Sequence, residues 1–207
     1  AVAGFAGLWI DRAGYADRGA ALERQVQKIT GLTEPTVTSS DDRRVFYDLQ
    51  PLRARLDAAL TPAQRADITA AVTRPVVAQY GAGFYYQERN EDERWRWAAN
   101  EAIMTLTNPT GRPQTVRWSA SLRSAIGSSV RLTIDGREVA SATFTAAGDE
   151  PTVKLNIRVP TEGVTVRFET TGANLGPDNG DPRALYLQVI NPTLVNDVLS
   201  EASQALR

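Results

Sequence analysis

The side chains best suited to bind a ligand are aromatic rings that stand beside hydrogen-bonding groups. Trp95 and Trp97 are two residues apart, so in a β-strand both indoles lie on one face. A pair of exposed indoles can stack against the C–H faces of sugars. The sequence therefore predicts a carbohydrate platform at these two positions, flanked by Glu93, Asn100 and Glu101. The alternative is that both indoles fill a core or its rim.

Three further residues complete the candidate carbohydrate-binding set. Tyr85 and Glu88 lie in another alternating segment and combine a ring with a carboxylate, as at a saccharide edge, although a plain surface strand explains them equally well. Arg183 directly precedes a predicted strand, where it either clamps a ligand or pairs with Glu88 or Glu101. The sequence leaves both roles open. The candidate set is Trp95, Trp97, Tyr85, Glu88 and Arg183.

A polar, glycine-rich loop at residues 172–183 is the weaker candidate site. Asp178, Asn179 and Asp181 place oxygen ligands close together, as a calcium loop does, but the EF-hand spacing and its terminal Glu are missing. Asp and Asn also satisfy backbone groups in ordinary turns, which is the preferred interpretation. We therefore predict no metal at this loop.

The composition excludes several classes of chemistry. The 207 residues contain no His and no Cys, which rules out Ser-His-Asp and Cys-His catalysis and thiolate metal sites. We predict no cofactor. The 23 basic and 24 acidic residues are interspersed and give a net charge of −1, so no field of one sign attracts a polyanion. Nucleic acid is therefore not an expected partner.

One hydrolytic interpretation begins at Asp11, a carboxylate at the end of an apolar strand. Some glycoside hydrolases place an acid in this way on a barrel strand, but hydrolysis needs a second carboxylate about 5–10 Å away. Only two strands are predicted before the β-sandwich expected in the second part of the chain, and two strands are too few for a barrel to close. We therefore expect Asp11 to form a turn or cap a helix. The acidic runs 41–42 and 91–93 are expected to be solvated turns.

Residues 1–75 are predicted to form a small α/β subdomain. The apolar run at 5–10 predicts a buried strand with Trp9 in the core, and a second strand is expected at 43–49. Helices are predicted at 17–28, through the leucines at 52, 56 and 60, and at 63–73. Gly31 is the expected left-handed cap of the first helix, and Thr61 with Pro62 the start of the last.

Residues 76–194 are predicted to form an antiparallel β-sandwich of jelly-roll type, because the hydrophobic period changes to two. The predicted strands are 83–88, 95–107, 114–122, 130–134, 137–145, 152–158, 164–170 and 184–189. Trp118 alternates with apolar residues and is expected in the core. Residues 195–207 predict an amphipathic C-terminal helix. The fold class is therefore α+β.

The ends of the chain suggest that it is part of a longer protein. No apolar run reaches the roughly 18 residues that span a bilayer. The sequence starts without Met, however, and enters a predicted strand within its first few residues. We expect membrane spans, a catalytic domain or both in the sequence upstream.

Several short motifs resemble the extracytoplasmic C-terminal region of large bacterial polytopic membrane proteins. The resemblance covers most of the chain and rests on GFAGLWIDRAGY at 4–15, FYDL at 46–49, GFY at 83–85 with Glu88, RWRW at 94–97, and DPRAL at 181–185 with Val189 and Asn191. The proteins of this group are glycosyltransferases of the lipid-linked-sugar type and phosphoglycerol-transferase-like proteins. The resemblance implies a periplasmic or outer-face location, a membrane-embedded partner portion, and transferase chemistry outside this chain. No catalytic residue can be carried over.

The sequence thus predicts a non-catalytic extracytoplasmic domain that binds or positions a glycan or lipid-linked saccharide for a membrane-bound protein of the cell envelope. A structural or protein-interaction module is the second hypothesis, and the C-terminal fragment of a glycoside hydrolase the third. Exposure of Trp95 and Trp97 separates the first two: rings facing solvent favour sugar, and buried rings favour a scaffold.

Overall fold

The structure is a computed structural model that describes residues 1–176 and 180–199. Internal contacts divide it into two compact units, residues 1–73 (the N-terminal unit) and residues 74–199 (the sandwich unit). Most of the regular structure is antiparallel β-sheet, with a few helices. Within the described ranges, none of the helices is long and apolar enough to cross a membrane.

The N-terminal unit contains one antiparallel sheet, with the strand order β1-β3-β2, and three α-helices. Its elements are β1 (Gly7–Asp11), a 3-10 turn (Arg12–Gly14), α1 (Ala20–Thr30), β2 (Val37–Thr38), β3 (Arg44–Asp48), α2 (Gln50–Ala59) and α3 (Pro62–Thr73). Gly31 adopts a left-handed conformation after α1, as predicted. Thr61 and Gln64 bond each other's backbone N–H groups at the start of α3, which is a capping box.

The prediction that the run at 5–10 is buried was wrong for Phe5, Leu8 and Trp9, which are all exposed. Ile10 alternates onto the core face, where it packs with Val45 and with Val26 of α1. Trp9 points to the other face, is 61% exposed and contacts the Phe46 ring at 5.0 Å between centroids. Only one face of this short sheet is covered, so an apolar residue on the alternate positions stays in solvent.

The sandwich unit consists of two five-stranded antiparallel sheets. Sheet I has the order β10-β9-β12-β7-β4, and sheet II has the order β11-β8-β13-β6-β5. The strands are β4 (Val77–Tyr80), β5 (Phe84–Arg89), β6 (Arg94–Ala98), β7 (Glu101–Thr107), β8 (Gln114–Ser124), β9 (Ser129–Ile134), β10 (Arg137–Thr143), β11 (Thr152–Val159), β12 (Val164–Thr171) and β13 (Leu187–Asn196).

The inner faces of sheets I and II share one apolar core, which makes this unit a β-sandwich. Trp118 of sheet II is 1% exposed and meets Phe168 of sheet I edge to face, with 5.8 Å between ring centroids. Phe84 contacts the same Phe168 ring from another side, at 5.3 Å. The expectation that Trp118 belongs to the core is therefore confirmed.

The predicted single strand at 95–107 is in fact two strands in different sheets. β6 belongs to sheet II and β7 to sheet I, so the chain crosses from one sheet to the other at residues 99–100. Both strands alternate with the same period, and periodicity alone does not reveal such a crossing. The short edge strand β4, directly after Pro75 and Val76, was not predicted.

The C-terminal helix predicted at 195–207 begins later than expected. Val195 and Asn196 still belong to β13, where they pair with Arg117 and Val116 of β8. The Asn196 amide also donates to the side-chain oxygen of Gln114, a buried contact of 3.0 Å that holds the strand end. Helical backbone starts at residue 197, and residues 200–207 lie outside the described part of the chain.

Candidate functional site

Trp95 and Trp97, here called the Trp platform, lie on the outer face of sheet II. Ala98 of the same strand is in the core, and Arg96 also points inward, with its guanidinium 5.0 Å from the Tyr80 ring centroid. Strand alternation therefore turns both indoles away from the core. Each is partly exposed, so the structure lies between the buried pair and the fully solvent-facing pair that the sequence left open.

Both indoles lie opposite buried residues of the neighbouring strand. Ile190 pairs opposite Trp95 and Gln188 opposite Trp97, on outward-facing positions of β13. Ile190 is nevertheless only 1% exposed, and Gln188 is buried as well. Cross-strand neighbours on one face of an antiparallel sheet lie within contact distance, so each indole lies beside one of these buried side chains.

Glu88 anchors the platform to a distant loop. Its Oε2 accepts a hydrogen bond from Trp95 Nε1 at 3.2 Å, and its Oε1 accepts one from Arg183 Nη1 at 2.7 Å. Glu88 and Trp95 are paired residues of β5 and β6, so register brings them together. Arg183 is 95 residues away in sequence. The ion pair between Glu88 and Arg183 is the one that the sequence offered as an alternative to a ligand clamp.

Arg183 is held from three sides. Its Nε and Nη2 donate to the Asp181 carboxylate at 3.0 and 2.7 Å, and its guanidinium carbon lies 5.3 Å from the Tyr85 ring centroid. The Tyr85 hydroxyl accepts a bond from the backbone N–H of Ala184 at 3.0 Å. The hydrogen bonds to Asp181 and Glu88 raise the pKa of Arg183, and Arg183 lowers the pKa of Asp181.

The structure thus brings Trp95, Tyr85, Glu88 and Arg183 together, with Trp97 on the same sheet face. The polar groups of this cluster bond mainly to one another, so it braces the loop before β13 against sheet II. Tyr86 lies at a bulge of β5 and is 92% exposed, so it adds a freely accessible ring on the edge strand.

The flanking residues predicted for the platform are only partly present. Glu93 lies near it, and its carboxylate is 3.5 Å from Arg123 of β8. Glu101 lies on sheet I instead, with its carboxylate 3.8 Å from Arg167. The Asn100 carbonyl accepts from the backbone N–H of Thr170, also on sheet I. Because the chain crosses to sheet I at residues 99–100, neither Asn100 nor Glu101 flanks the platform.

The weak metal candidates of the loop at 172–183 do not form a metal site among the described residues. Asp178 and Asn179 lie outside the described residues, and the Asp181 carboxylate is occupied by Arg183. Within residues 1–176 and 180–199, no group of three acidic side chains is placed to hold a metal ion.

Asp11 caps the 3-10 turn, as expected, by accepting from the backbone N–H of Ala13 at 3.0 Å. Its oxygens also accept from Nε and Nη2 of Arg43, both at 3.0 Å. These bonds lower the pKa of Asp11. A general acid in a glycosidase needs a raised pKa, so this environment does not suit such a role.

A second feature of the same sheet face was not recognised in the sequence. Arg117, Ser119, Lys154, Asn156 and Thr193 line a shallow groove of about 420 Å³, here called the outer groove. Val195 and parts of Trp118 and Leu155 complete it. The signal was present in the polar alternate positions of β8 and β11, but nothing in the sequence showed that those strands are neighbours.

No protein-family model matches the chain. No curated protein matches it either. Several solved structures are similar to part of the chain. The C-terminal CBM6 of LamC, a marine laminarinase from Zobellia galactanivorans, is 9% identical, with 58% of this chain and 98% of that chain covered and a TM-score of 0.32.

Two further similar structures are carbohydrate-binding modules. CBM6cm-2 from Cellvibrio mixtus lichenase 5A, in complex with cellotriose, is 11% identical over 56% of this chain and 88% of that one, with a TM-score of 0.32. A family 35 module from Clostridium thermocellum is 11% identical over 57% and 91%, with a TM-score of 0.34. At scores and identities this low, the likeness carries no conclusion about the ligand of this chain.

Proposed function

We propose that the sandwich unit is a jelly-roll-like module that binds a glycan or a lipid-linked saccharide and performs no chemistry of its own. Residues 1–75 form a separate small α/β subdomain that precedes it. The sugar stacks on the Trp platform, and Tyr85, Glu88 and Arg183 form the polar edge of the site. Its role is to position carbohydrate for another part of the parent protein.

The observation that carries this proposal is the placement of Trp95 and Trp97. Both indoles lie on the outer face of a rigid antiparallel sheet and remain partly exposed. The hydrogen bond from Trp95 to Glu88 fixes one of them. A pre-ordered aromatic surface loses little conformational entropy when it binds a ligand, which favours affinity.

A structural or protein-interaction module is the second candidate. It is favoured by the bonds that Glu88, Arg183 and Asp181 already make with one another. It is also favoured by the burial of Ile190 and Gln188 on the outer face. In this case the platform braces the sheet, and its exposed edges pack against another protein.

The cellular setting of the proposal rests on the sequence resemblance alone. We infer that the chain belongs to a bacterial membrane protein that builds or modifies cell-envelope glycans, with its glycosyltransferase or phosphoglycerol-transferase centre in a membrane-embedded portion. Proteolysis of intact spheroplasts that carry the parent protein tests the location. Cleavage of this region from outside supports an extracytoplasmic position, and protection until lysis contradicts it.

Carbohydrate binding is tested by titrating the chain with a panel of bacterial cell-envelope oligosaccharides while tryptophan fluorescence is followed. Trp95→Ala and Trp97→Ala are compared with Trp9→Ala, which removes an exposed indole from the other unit. A saturable change that is lost in the first two variants and kept in Trp9→Ala supports the proposal. No response across the panel, from a folded protein, favours the interaction module.

A further inference from the structure

The outer groove and the Trp platform occupy the same face of sheet II. On β8, Val116, Trp118 and Ala120 point into the core, which turns Arg117 and Ser119 outward. On β11, Leu155 is in the core and Lys154 and Asn156 face outward. The outer groove is therefore a polar surface beside the aromatic Trp platform. Both lie on strands that are hydrogen-bonded within one sheet.

Strand register gives the separation of these two surfaces. Trp95 pairs with Ile190, Ile190 with Ser121, and Ser121 with Thr152, so one straight row crosses the four strands. Lys154 lies two residues farther along β11. Three strand spacings of about 4.8 Å across the sheet and a rise of about 3.4 Å for each of two residues along β11 are at right angles. Together they give roughly 16 Å between the Cα atoms of Trp95 and Lys154. A short linear oligosaccharide spans such a distance.

From the platform this path first crosses the buried Ile190, and it then offers hydroxyl groups. Ser119 and Thr193 are cross-strand partners, and their hydroxyl oxygens are 2.8 Å apart. Ser121 and Thr152 form a similar pair at 3.3 Å. Hydroxyl groups donate and accept hydrogen bonds in turn, which suits the hydroxyl groups of a sugar. A chain lying across the sheet would meet these pairs between the platform and the groove.

The charge of the outer groove is positive. Among the residues that the structure describes, its lining contains two basic side chains, Arg117 and Lys154, and no acidic one. Arg117 Nε donates to the Asp197 carboxylate at 2.8 Å, which balances that guanidinium. Lys154 is exposed and contributes the remaining charge, with the Asn156 amide beside it on the same face of β11. An anionic group on the ligand complements this end of the face.

We propose that the outer groove is a subsite for an anionic sugar, whose carboxylate or phosphate pairs with Lys154 while a neighbouring part of the same oligosaccharide stacks on the Trp platform. This inference rests on the proposed carbohydrate function and adds the substrate class. Lys154 determines specificity for charge, and the indoles supply affinity that does not depend on charge.

The test compares charged and uncharged forms of one ligand. The full chain and Lys154→Gln are titrated with a galacturonic acid tetramer and with its methyl-esterified form, and a phosphorylated mannose tetramer is compared with the plain one. The chain offers a matched control, because Lys28 on α1 is its only other lysine. We expect Lys154→Gln to weaken binding of a charged form about three- to fivefold, as for an exposed ion pair, and Lys28→Gln to have no effect.

Amine labelling followed by mass spectrometry gives a readout without mutation. A bound anionic tetramer should protect Lys154 from acetylation and leave Lys28 reactive. Preference for the uronate or for the phosphate identifies the anion. Added salt should reduce this preference and leave binding of the neutral form unchanged.

The outcomes separate the two proposals. Binding that depends on Trp95 but is equal for charged and uncharged forms, or a charge preference that survives Lys154→Gln, overturns the anionic subsite and leaves carbohydrate binding standing. Absence of binding to these tetramers and to the whole envelope panel overturns both.

Discussion

The indole Nε1 of Trp95 donates a hydrogen bond to Oε2 of Glu88 across 3.2 Å. The other oxygen of the same carboxylate accepts from Arg183, which joins the loop before β13 to β5 and β6. A single carboxylate therefore fixes an aromatic ring on the outer face of sheet II and a loop about ninety residues later in sequence. We expect order in the platform to depend on this contact.

Glu88→Gln should weaken glycan binding and lower the free energy of unfolding by about 1 kcal/mol, because it removes the charge that pairs with Arg183 but keeps a hydrogen-bond acceptor. Glu169→Gln is the matched control: Glu169 lies on sheet I, is similarly exposed and pairs with Arg131 at 2.5 Å. Thermal unfolding and fluorescence titration measure the two effects. Equal affinity losses in both variants would show that Glu88 does not order the platform.

Trp118→Ala should destabilise the sandwich unit by about 3–5 kcal/mol, because it empties a core site and removes the partner of the Tyr80 hydroxyl. Trp97→Ala should cost about 1 kcal/mol, since that ring is only partly buried. Urea unfolding of both variants provides the comparison. A loss for Trp97→Ala as large as for Trp118→Ala would mean that the platform is an integral part of the packing.

Stability of the N-terminal unit should fall in acid. Glu23 is nearly buried, and its carboxylate accepts from Arg12 at 2.7 and 3.0 Å and from the Tyr47 hydroxyl at 2.9 Å. The bonds from Arg12, and then from Tyr47, lower its pKa below the ordinary 4.5 despite its burial. A lowered folded-state pKa means that this stability is present above pH 4.5 and is lost as the pH falls through the folded pKa.

Glu23→Gln tests this pH dependence. It should lower the free energy of unfolding at neutral pH by about 2 kcal/mol and flatten its decline below pH 4.5. In the described part of the chain, the three helices of ten or more residues lie in residues 1–73, so loss of the helical circular dichroism signal follows chiefly this unit. An acid profile as steep in Glu23→Gln as in the unchanged protein would assign the acid sensitivity to other carboxylates.

Neighbouring apolar residues of β1 should differ sharply in their contribution to stability. Ile10→Ala removes a core side chain and should cost about 2–5 kcal/mol. Trp9→Ala should cost about 1 kcal/mol or less, because that indole is mostly in solvent and contacts chiefly Phe46. Urea unfolding followed by the helical circular dichroism signal measures the loss of stability in both variants. A large loss for Trp9→Ala would show that the outer face of this sheet is covered in solution.

Local sequence signals predicted the elements well. The two-residue period of β8, β9, β11 and β12 indicated strands within a few residues of their observed bounds, and Gly31 and Thr61 marked a helix end and a helix start. These features depend on neighbours in sequence. The face of Trp9 was misjudged because an apolar run does not reveal that only one side of a sheet is covered.

The candidate site could be predicted only in part. The two-residue spacing of Trp95 and Trp97 predicted that both indoles lie on one face. The ion pair between Glu88 and Arg183 was predicted as the alternative to a ligand clamp by Arg183. Their degree of burial depends on β13 lying beside β6, a contact between segments about ninety residues apart. The outer groove depends in the same way on β8, β11 and β13 becoming neighbours. Pairing partners of strands are not encoded in local periodicity.

The most direct test of carbohydrate binding on the platform is an NMR titration of the indole N–H signals of the 15N-labelled chain. The chain has four tryptophans, so each position has its own signal, assigned by single substitution. With a bound envelope oligosaccharide, the signals of Trp95 and Trp97 should shift and saturate together. Those of Trp118 in the core and Trp9 in the other unit should stay in place. Shifts confined to Trp9, or none at ligand concentrations that saturate an independent binding signal, would contradict the account.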